Sequence, residues 1–367
     1  MSFDLKAIRR ELHMIPEPSF GEHKTRELLL KHLRTLDGIR IHLMKSSTGI
    51  LVEYSHGEGS YRLFRSDMDA LPVAERTGAQ FSSQNPGMMH ACGHDIHMTV
   101  LLGLVERITQ LKPERNLLFL FQPAEEGEGG AESVLAENII QGFPGEAAFA
   151  LHVGSGLEVG TISSREGIFF GVPQEFDVVF RGVSSHAAFP EKGVNALQAG
   201  LQFMRLMDAD IAELSKTEKV IFHIGKMSAG TVRNVVSDRC ALEGTHRSFG
   251  KETRDRINAL IMKNSAIAAA QTGAEQEVKL LGSYDPVVND GGLLEELKGV
   301  CAKLGLDFRE AETALTGEDF GYFTSIYPGL LFWLGSGCEY PLHSDKFLAD
   351  EACIEVGVRV FEQLALG

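Results

Sequence analysis

The 367-residue sequence lacks several features that mark well-defined classes of protein. Its five cysteines are widely spaced and form no CxxC pair, so we expect neither a disulfide framework nor an oxidising compartment. The N-terminal segment has charges and a proline where a signal peptide needs an apolar run, and no stretch approaches a transmembrane span. These absences predict a soluble, cytoplasmic protein without a membrane partner.

The chain also has fewer basic residues than acidic ones, with 35 lysines and arginines against 50 aspartates and glutamates. The formal net charge is −15, which makes binding to nucleic acid or to an anionic membrane unfavourable. An anionic small molecule would be repelled at long range, so its binding needs locally placed arginines. A hydrophobic fraction of 44% with 23% charged residues is ordinary for a globular enzyme, and the length predicts two domains.

Short apolar runs at 61–64, 117–121 and 147–151 are each followed by a polar cluster, and helical patterns lie between them. Buried strands that alternate with helices predict an α/β domain with a mostly parallel sheet. Ligands of such sheets bind beyond the carboxyl ends of the strands. The candidate residues at these ends are Asp67, Asp69, Glu125, Glu126 and His152.

The pattern changes from residue 171 onwards. The predicted order there is strand, helix, strand, strand, helix, strand, which is that of a ferredoxin-like (βαββαβ) module. We therefore predict a first domain formed by residues 1–170 and 283–367. Residues 171–282 are predicted to be a module inserted into that domain. The predicted strands of the module span 175–180, 220–224, 239–247 and 276–281, and its helices span 195–214 and 253–272.

The octapeptide HACGHDIH at 90–97 concentrates metal-binding side chains more than any other segment. Thiolate and imidazole suit zinc and its first-row neighbours. The alternative is a surface turn that is rich in histidine. Within the segment, Cys92 and His94 are the stronger ligand candidates. His97 is predicted to open a helix and to support the site or cap that helix.

Glu125 and Glu126 follow an apolar run and are candidates for two different roles at a metal site. Adjacent side chains diverge, so one carboxylate can bind a metal ion while the other acts as a general base. The alternative is a solvated acidic loop, since the segment EEGEGG is also rich in glycine. His152 and His343 are isolated histidines, and such residues more often pack or lie on the surface than bind metal.

Motifs along nearly the whole chain resemble the dinuclear-metal aminoacylase and carboxypeptidase superfamily. The resemblance is strongest to its amidohydrolase branch, which includes hippurate hydrolase, indole-acetyl-amino-acid hydrolase and N-acetyldiaminopimelate deacetylase. Within this branch, LLFLFQPAEEG, TGEDFGYF and YPGLLFWLG are most similar to the deacetylases. The other matching motifs are LHMIPEPSFGEHKT, SDMDALP, MHACGHDIH, LHVG, SSHAAFP, LEGTHR and LHSDKF.

The resemblance implies two divalent ions, zinc or else manganese, cobalt or nickel, with the Cys92 thiolate bridging them. It implies that Glu125 is the general base and that Asp69 orients a ligand histidine. The superfamily places a ligand histidine where this chain has Asp67, and the role of Asp67 is left open. The implied metal ligands are Cys92, His94, Glu126, His152 and His343.

In the inserted module, the resemblance implies that His186 stabilises the oxyanion and that Asn234 and Arg247 hold the substrate carboxylate. Without the resemblance, Arg247 could equally be interpreted as an exposed charge on a strand. The resemblance also implies that residues 1–170 and 283–367 form a catalytic metal-binding domain and that residues 171–282 form an inserted lid and dimerisation domain. The implied reaction is hydrolysis of an N-acyl-L-amino acid by a homodimer paired through this lid. N-acetyl-L,L-diaminopimelate, in lysine biosynthesis, is the first candidate substrate, and other N-acyl amino acids such as hippurate are the alternative.

Two further classes of function are open on the sequence alone. A cysteine hydrolase would use Cys92 with a histidine as an activated nucleophile. That interpretation assigns no role to Glu126, His152 and His343. A binding protein that has lost catalysis on the same scaffold is the other class, but every residue that catalysis requires is present.

Overall fold

A computed structural model describes residues 2–127 and 129–367. The chain forms two compact units. The first comprises Met1–Phe169, Val287–Thr313 and Glu318–Gly367, and the second comprises Phe170–Pro286 and Ala314–Gly317. Among the described residues, no helix combines the length and the apolar character needed to cross a bilayer.

The secondary-structure elements are numbered in chain order. The helices are α1 (Leu5–Met14), α2 (His23–Leu33), α3 (His94–Leu111), α4 (Gly130–Ala136), α5 (Ala196–Leu214), α6 (Lys251–Thr272), α7 (Gly291–Leu304), α8 (Gly321–Thr324) and α9 (Ala352–Leu366). The strands are β1 (Arg40–Leu43), β2 (Ile50–Tyr54), β3 (Tyr61–Asp67), β4 (Asn116–Gln122), β5 (Gly145–Gly154), β6 (Thr161–Ser164), β7 (Gly167–Phe170), β8 (Val172–Arg181), β9 (Ile221–Ala229), β10 (Arg239–Ser248), β11 (Glu275–Ser283), β12 (Val287–Asn289), β13 (Asp307–Glu310) and β14 (Gly329–Gly335).

A mostly parallel sheet is the centre of the first unit. Its strand order is β1-β2-β4-β3-β5-β14-β12-β7, with β6 beside β14 and β13 beside β6. The central pairs β4–β3, β3–β5 and β5–β14 are parallel, whereas β1–β2, β2–β4 and β6–β14 are antiparallel. Strands β3 and β4 are buried along their whole length, as expected for parallel strands covered on both faces.

Helix α3 packs behind this sheet against α1, α9 and β3. It is apolar on nearly every face, and its residues from His94 to Glu106 are all buried. A helix that is hydrophobic all round belongs in a core, because no polar face is left for water. Phe64 of β3 stacks on Phe149 of β5 at 5.1 Å and meets Phe361 of α9 edge-on at the same distance. The first residue of α3, His94, contacts the backbone oxygen of Asp69, which lies just beyond the end of β3.

The second unit contains an antiparallel sheet in the order β11-β8-β10-β9. Its elements follow one another as β8, α5, β9, β10, α6 and β11. Helices α5 and α6 contact each other and cover one face of the sheet. Alternating residues of β8 point into this core, including Phe176, Val178 and Phe180. This period of two is the pattern of a sheet with one covered and one solvated face.

The prediction of an α/β protein with a large, mostly parallel sheet is confirmed, and a separate antiparallel sheet is present. Several element boundaries differ from the predicted ones. Helix α3 begins at His94 rather than at His97, because Gly93 in the left-handed conformation forms its N-cap. Strand β5 continues past His152 to Gly154, because it pairs with β14 up to Gly335.

Candidate active site

Cys92 and His94 lie at the start of α3, where the chain makes a sharp turn at Gly93. The φ of Gly93 is +83°, a region that glycine adopts at no steric cost. A Cβ at this position would lie 2.4 Å from Cγ2 of Val153 on β5. Glycine therefore allows the loop to approach β5 closely, and the buried Cys92 and His94 face the carboxyl end of that strand.

The structure brings His152 of β5 next to Cys92. Nε2 of His152 lies 3.3 Å from Sγ of Cys92. The other ring nitrogen, Nδ1, lies 2.9 Å from the carbonyl oxygen of Val153 and must donate to it. The unprotonated Nε2 is thus directed at the thiol, which is the tautomer that a metal ligand needs.

Glu125 and Glu126 occupy a tight turn after β4. Ala124 has a positive φ of 55°, a strained conformation for a residue other than glycine. The Asp69 carboxylate accepts hydrogen bonds from the backbone N–H groups of both glutamates, each at 3.0 Å. Its Oδ2 also accepts the Ser19 hydroxyl at 2.8 Å. Asp69 therefore holds the turn that presents the two side chains.

Asp69 also contacts His94. Nδ1 of His94 lies 2.9 Å from the backbone oxygen of Asp69 and 3.5 Å from its carboxylate Oδ1. The backbone oxygen can only accept, so Nδ1 of His94 is the donor and Nε2 is free to face the cluster. The contact predicted between Asp69 and a ligand histidine is thus made mainly by the main chain.

His343 approaches the cluster from an exposed loop after β14. Its φ is +66°, and its backbone N–H donates to the Ala91 carbonyl at 2.9 Å. Nε2 of His343 lies 3.6 Å from Oε1 of Glu126. A left-handed conformation in a non-glycine residue is held by its surroundings and is common at functional sites.

Donor atoms from all five predicted ligands converge. Three trios each have donor atoms within 4.8 Å of one another, and they share members: Cys92, His94 and His152; Cys92, Glu126 and His343; His94, Glu125 and Glu126. In the part of the chain that the structure describes, the buried Nε2 of His94 and Oε1 of Glu126 have no hydrogen-bond partner. Buried polar atoms are rarely left without a partner, so the residues present fit bound cations.

Unbalanced negative charge dominates the electrostatics of the cluster. Burial, together with Glu318, Glu126 and Asp319, raises the pKa of Glu125 well above its ordinary value. Burial also raises the pKa of Glu126 to about 7, although His94 opposes the shift. Like charges at this spacing disfavour full ionisation, and nearby cations would relieve the repulsion.

Comparison with known proteins identifies the family to which this chain is similar. The model of a family described as Peptidase family M20/M25/M40 matches residues 63–367. The chain belongs to this family. It is 37% identical over 360 residues to N-acetyldiaminopimelate deacetylase of Geobacillus sp. (strain WCH70), covering 96% of this chain and 94% of that protein. It is 36% identical over 362 residues to the protein of the same name from Bacillus subtilis (strain 168), covering 97% and 96%.

A solved structure from the M20 family has the same fold. The YXEP protein of Bacillus subtilis, described as a dinuclear metal binding peptidase from the M20 family, superimposes with a TM-score of 0.85 at 31% identity. The match covers 99% of this chain and 96% of that one. The predicted family and hydrolase class are therefore confirmed for this chain.

Behind the glutamate pair lies a buried ionic cluster that the sequence did not reveal. The Arg65 guanidinium contacts Asp67 at 2.9 Å, Glu318 at 3.0 Å and Asp319 at 2.6 Å. Gln122, at the end of β4, bonds to both Arg65 and Asp319. The adjacent acids of TGEDF are the signal that the sequence offers for this cluster, but the sequence indicates no partner for them.

The three remaining predicted site residues lie in the second unit. His186 is exposed, and its Nδ1 accepts the N–H of Ala188 at 3.0 Å. Asn234 is exposed, and its backbone carbonyl accepts a hydrogen bond from the backbone N–H of Ala187 at 3.0 Å. This contact places Asn234 beside His186. Arg247 lies on β10, where its side chain is partly buried and bonds to the Thr245 hydroxyl.

Proposed function

We propose that this M20-family chain hydrolyses the amide bond of N-acyl-L-amino acids, with N-acetyl-L,L-diaminopimelate as substrate. The observation that carries the proposal is the convergence of Cys92, His94, Glu126, His152 and His343 beside Glu125. Near full-length similarity to N-acetyldiaminopimelate deacetylases supports the choice of substrate. Deacetylation of this compound belongs to the formation of diaminopimelate and lysine.

The five converging residues are proposed to hold two divalent ions. Cys92 belongs to one trio with His94 and His152 and to another with Glu126 and His343, which supports a bridging thiolate. Sulfur, nitrogen and oxygen donors together suit zinc, and they are also compatible with manganese, cobalt or nickel. When bound, such ions polarise the amide carbonyl and make water more acidic.

Glu125 is proposed to transfer the proton. It is buried, it lies 3.9 Å from the implied ligand His94, and it is not itself one of the implied metal ligands, so its carboxylate can accept a proton beside the bound ions. Glu125 removes a proton from the attacking water as a C–O bond forms to the acyl carbon. It then gives that proton to the nitrogen as the C–N bond breaks, which releases acetate and the free amine.

Roles in the second unit are proposed from the resemblance. His186 would donate a hydrogen bond to the oxyanion, and Asn234 and Arg247 would bind the substrate carboxylate. The Arg247 guanidinium donates from Nη1 to the Thr245 hydroxyl and the His246 carbonyl, and it also interacts electrostatically with Glu175. We propose that residues 171–282 form a ferredoxin-like lid through which the chain dimerises, and the βαββαβ order supports the first part.

The contact of 3.3 Å between Cys92 and His152 keeps a cysteine hydrolase as the second candidate. An activated cysteine is a thiolate beside an imidazolium. Here burial and the carboxylate of Glu126 raise the pKa of Cys92, while burial and His97 lower the pKa of His152. Both shifts favour the neutral pair, which argues against a nucleophilic thiolate that is activated by His152 alone.

The test is a hydrolysis screen combined with metal removal. N-acetyl-L,L-diaminopimelate should be cleaved faster than N-benzoyl-glycine and other N-acyl amino acids. Dialysis against a chelator should abolish activity, and zinc, manganese, cobalt or nickel should restore it. Activity that survives complete metal removal, or a covalent acyl-enzyme on Cys92, would favour the cysteine hydrolase. Preference for the benzoyl substrate would favour a hippurate hydrolase.

A further inference from the structure

The buried carboxylate of Asp67 is fully engaged, although no role has been assigned to it. Its Oδ1 lies 2.6 Å from Nδ1 of His97, and its Oδ2 lies 2.9 Å from Nη1 of Arg65. All three side chains are at most 1% exposed. Asp67 is thus a fixed anion between a guanidinium and an imidazole.

The tautomer of His97 follows from its second hydrogen-bond partner, the backbone N–H of Val153. The backbone N–H of Val153 donates to Nε2 of His97 at 2.9 Å. A backbone N–H can only donate, so Nε2 carries no proton, and Nδ1 must carry the proton that it donates to Asp67. Both ring nitrogens are therefore occupied by protein. His97 has no lone pair left for a cation, although its atoms lie within 4.8 Å of those of Asp67 and His94.

His97 contacts Val153 at a point where β5 is hydrogen-bonded to another strand on one side only. On one side, β5 pairs with β14 as far as Gly154. On the other side, the register with β3 ends at Arg65 and Ala150, so the following residues of β5 have no strand there. The imidazole of His97 accepts the N–H of Val153 in place of a strand.

Val153 is also the residue that orients His152. The Nδ1 of His152 donates to the Val153 carbonyl at 2.9 Å, which directs Nε2 to Sγ of Cys92 at 3.3 Å. The rings of His97 and His152 pack edge to face, with centroids 4.6 Å apart. A displacement of the Val153 peptide would thus rotate His152 away from the thiol.

We propose that His97 is a positioning residue, which Asp67 holds in one tautomer and which fixes the Val153 peptide so that His152 meets Cys92. The inference rests on the proposed function, because it takes His152 and Cys92 as metal ligands. Residues that support metal ligands in this way contribute strongly to affinity, and their loss commonly weakens binding about 10- to 100-fold.

The experiment measures metal binding rather than turnover. Zinc affinity is measured by competition with a chromophoric chelator, and the cobalt-substituted protein is examined for the thiolate-to-cobalt absorption band of Cys92. His97→Leu removes both hydrogen bonds and should weaken zinc binding about 10- to 100-fold and shift the band. His97→Gln can still offer an oxygen to the N–H of Val153, so its affinity should lie between those of His97→Leu and the native protein.

His246→Leu is the matched control. His246 is fully buried in the second unit and bonds to Asn258 at 3.0 Å, so its loss tests the effect of removing a buried histidine elsewhere. Native zinc affinity in this control, with weakened affinity in His97→Leu, would support the proposal. Native affinity and a native cobalt band in a folded His97→Leu protein would overturn it.

Asp67→Asn provides a second test if His97→Leu does not fold. This nearly isosteric change removes the charge that holds the His97 tautomer, and zinc binding should weaken about tenfold. Unchanged affinity in Asp67→Asn would overturn the role of the Asp67 charge in holding His97. Failure of the native protein to give a cobalt band would instead remove the proposed metal set, so the two failures are distinguishable.

Discussion

Nη2 of Arg65 lies 2.6 Å from Oδ1 of Asp319, and the two residues are 254 positions apart in the sequence. Both side chains are fully buried. Burial raises the pKa of Asp319 to about 7 even though Arg65 opposes the shift, because Glu318 adds a second negative charge. One cation thus compensates several carboxylates directly behind Glu125.

Removal of this cation should destabilise the first unit severely. Arg65→Met leaves Asp67, Glu318 and Asp319 without their buried partner, and breaking a buried ion pair in this way costs about 3–5 kcal/mol. Urea denaturation followed by circular dichroism gives the free energy of unfolding. The control is Arg309→Met, because Arg309 forms an exposed pair with Asp307 and should contribute little. Equal stabilities of the two variants would contradict the prediction.

Loss of the proposed base should stop turnover without releasing metal. Glu125→Gln keeps the size of the side chain but cannot accept the proton of water, so kcat should fall at least 10²- to 10⁴-fold. Metal content by elemental analysis should stay at the native level. Near-native kcat in Glu125→Gln would show that the base is another group, and loss of metal would show that Glu125 is a ligand.

Much of this site could be predicted because it lies at strand ends. Strands β4, β3 and β5 are parallel neighbours, so the polar residues that follow their apolar runs meet at one edge of the sheet. The sequence therefore predicts that Glu125, Glu126 and His152 lie close together. The period of two in β8 similarly predicted a strand with one covered face, and Val172–Arg181 extends it at both ends.

The remaining parts depend on contacts between distant segments. Nε2 of His343 lies 3.6 Å from Oε1 of Glu126, and the φ of +66° at His343 is a conformation that the surrounding sequence does not indicate. Arg65 lies inside an apolar strand, and nothing local indicates partners 254 residues away. For His97 the sequence predicts a residue that opens a helix and supports the site or caps that helix, but it does not indicate the contact with the N–H of Val153 on another strand.

Acid should weaken the protein partly through Glu75. Burial would raise the pKa of Glu75, but hydrogen bonds from His13 and the N–H of Ser83 lower it to about 2, from 4.5. Between these two values the unfolded state binds more protons than the folded state, so the contribution of Glu75 is present above pH 4.5 and is lost as the pH falls towards 2.

The urea midpoint at pH 6 and at pH 3 measures this contribution. The native protein should lose more stability between the two pH values than Glu75→Gln, which cannot titrate at this position. Glu58→Gln, a change at an exposed carboxylate, should show the native loss. If Glu75→Gln lost as much stability as the native protein, the folded pKa of Glu75 could not be depressed.

The turn that carries Glu125 and Glu126 should not tolerate a side chain at Gly130. A Cβ there would lie 1.7 Å from the carbonyl oxygen of Pro123, and this contact with backbone cannot be relieved by a rotamer change. Gly130→Ala must therefore displace the turn, and a shift of about 1 Å near reacting groups can cost 10²-fold in rate. The expected result is a fall of about that size in kcat/KM with retained secondary structure.

Gly142→Ala is the control, because a Cβ at Gly142 meets no atom within 4 Å, so its kcat/KM should be native. Native kcat/KM in both variants would mean that the position of this turn does not limit catalysis.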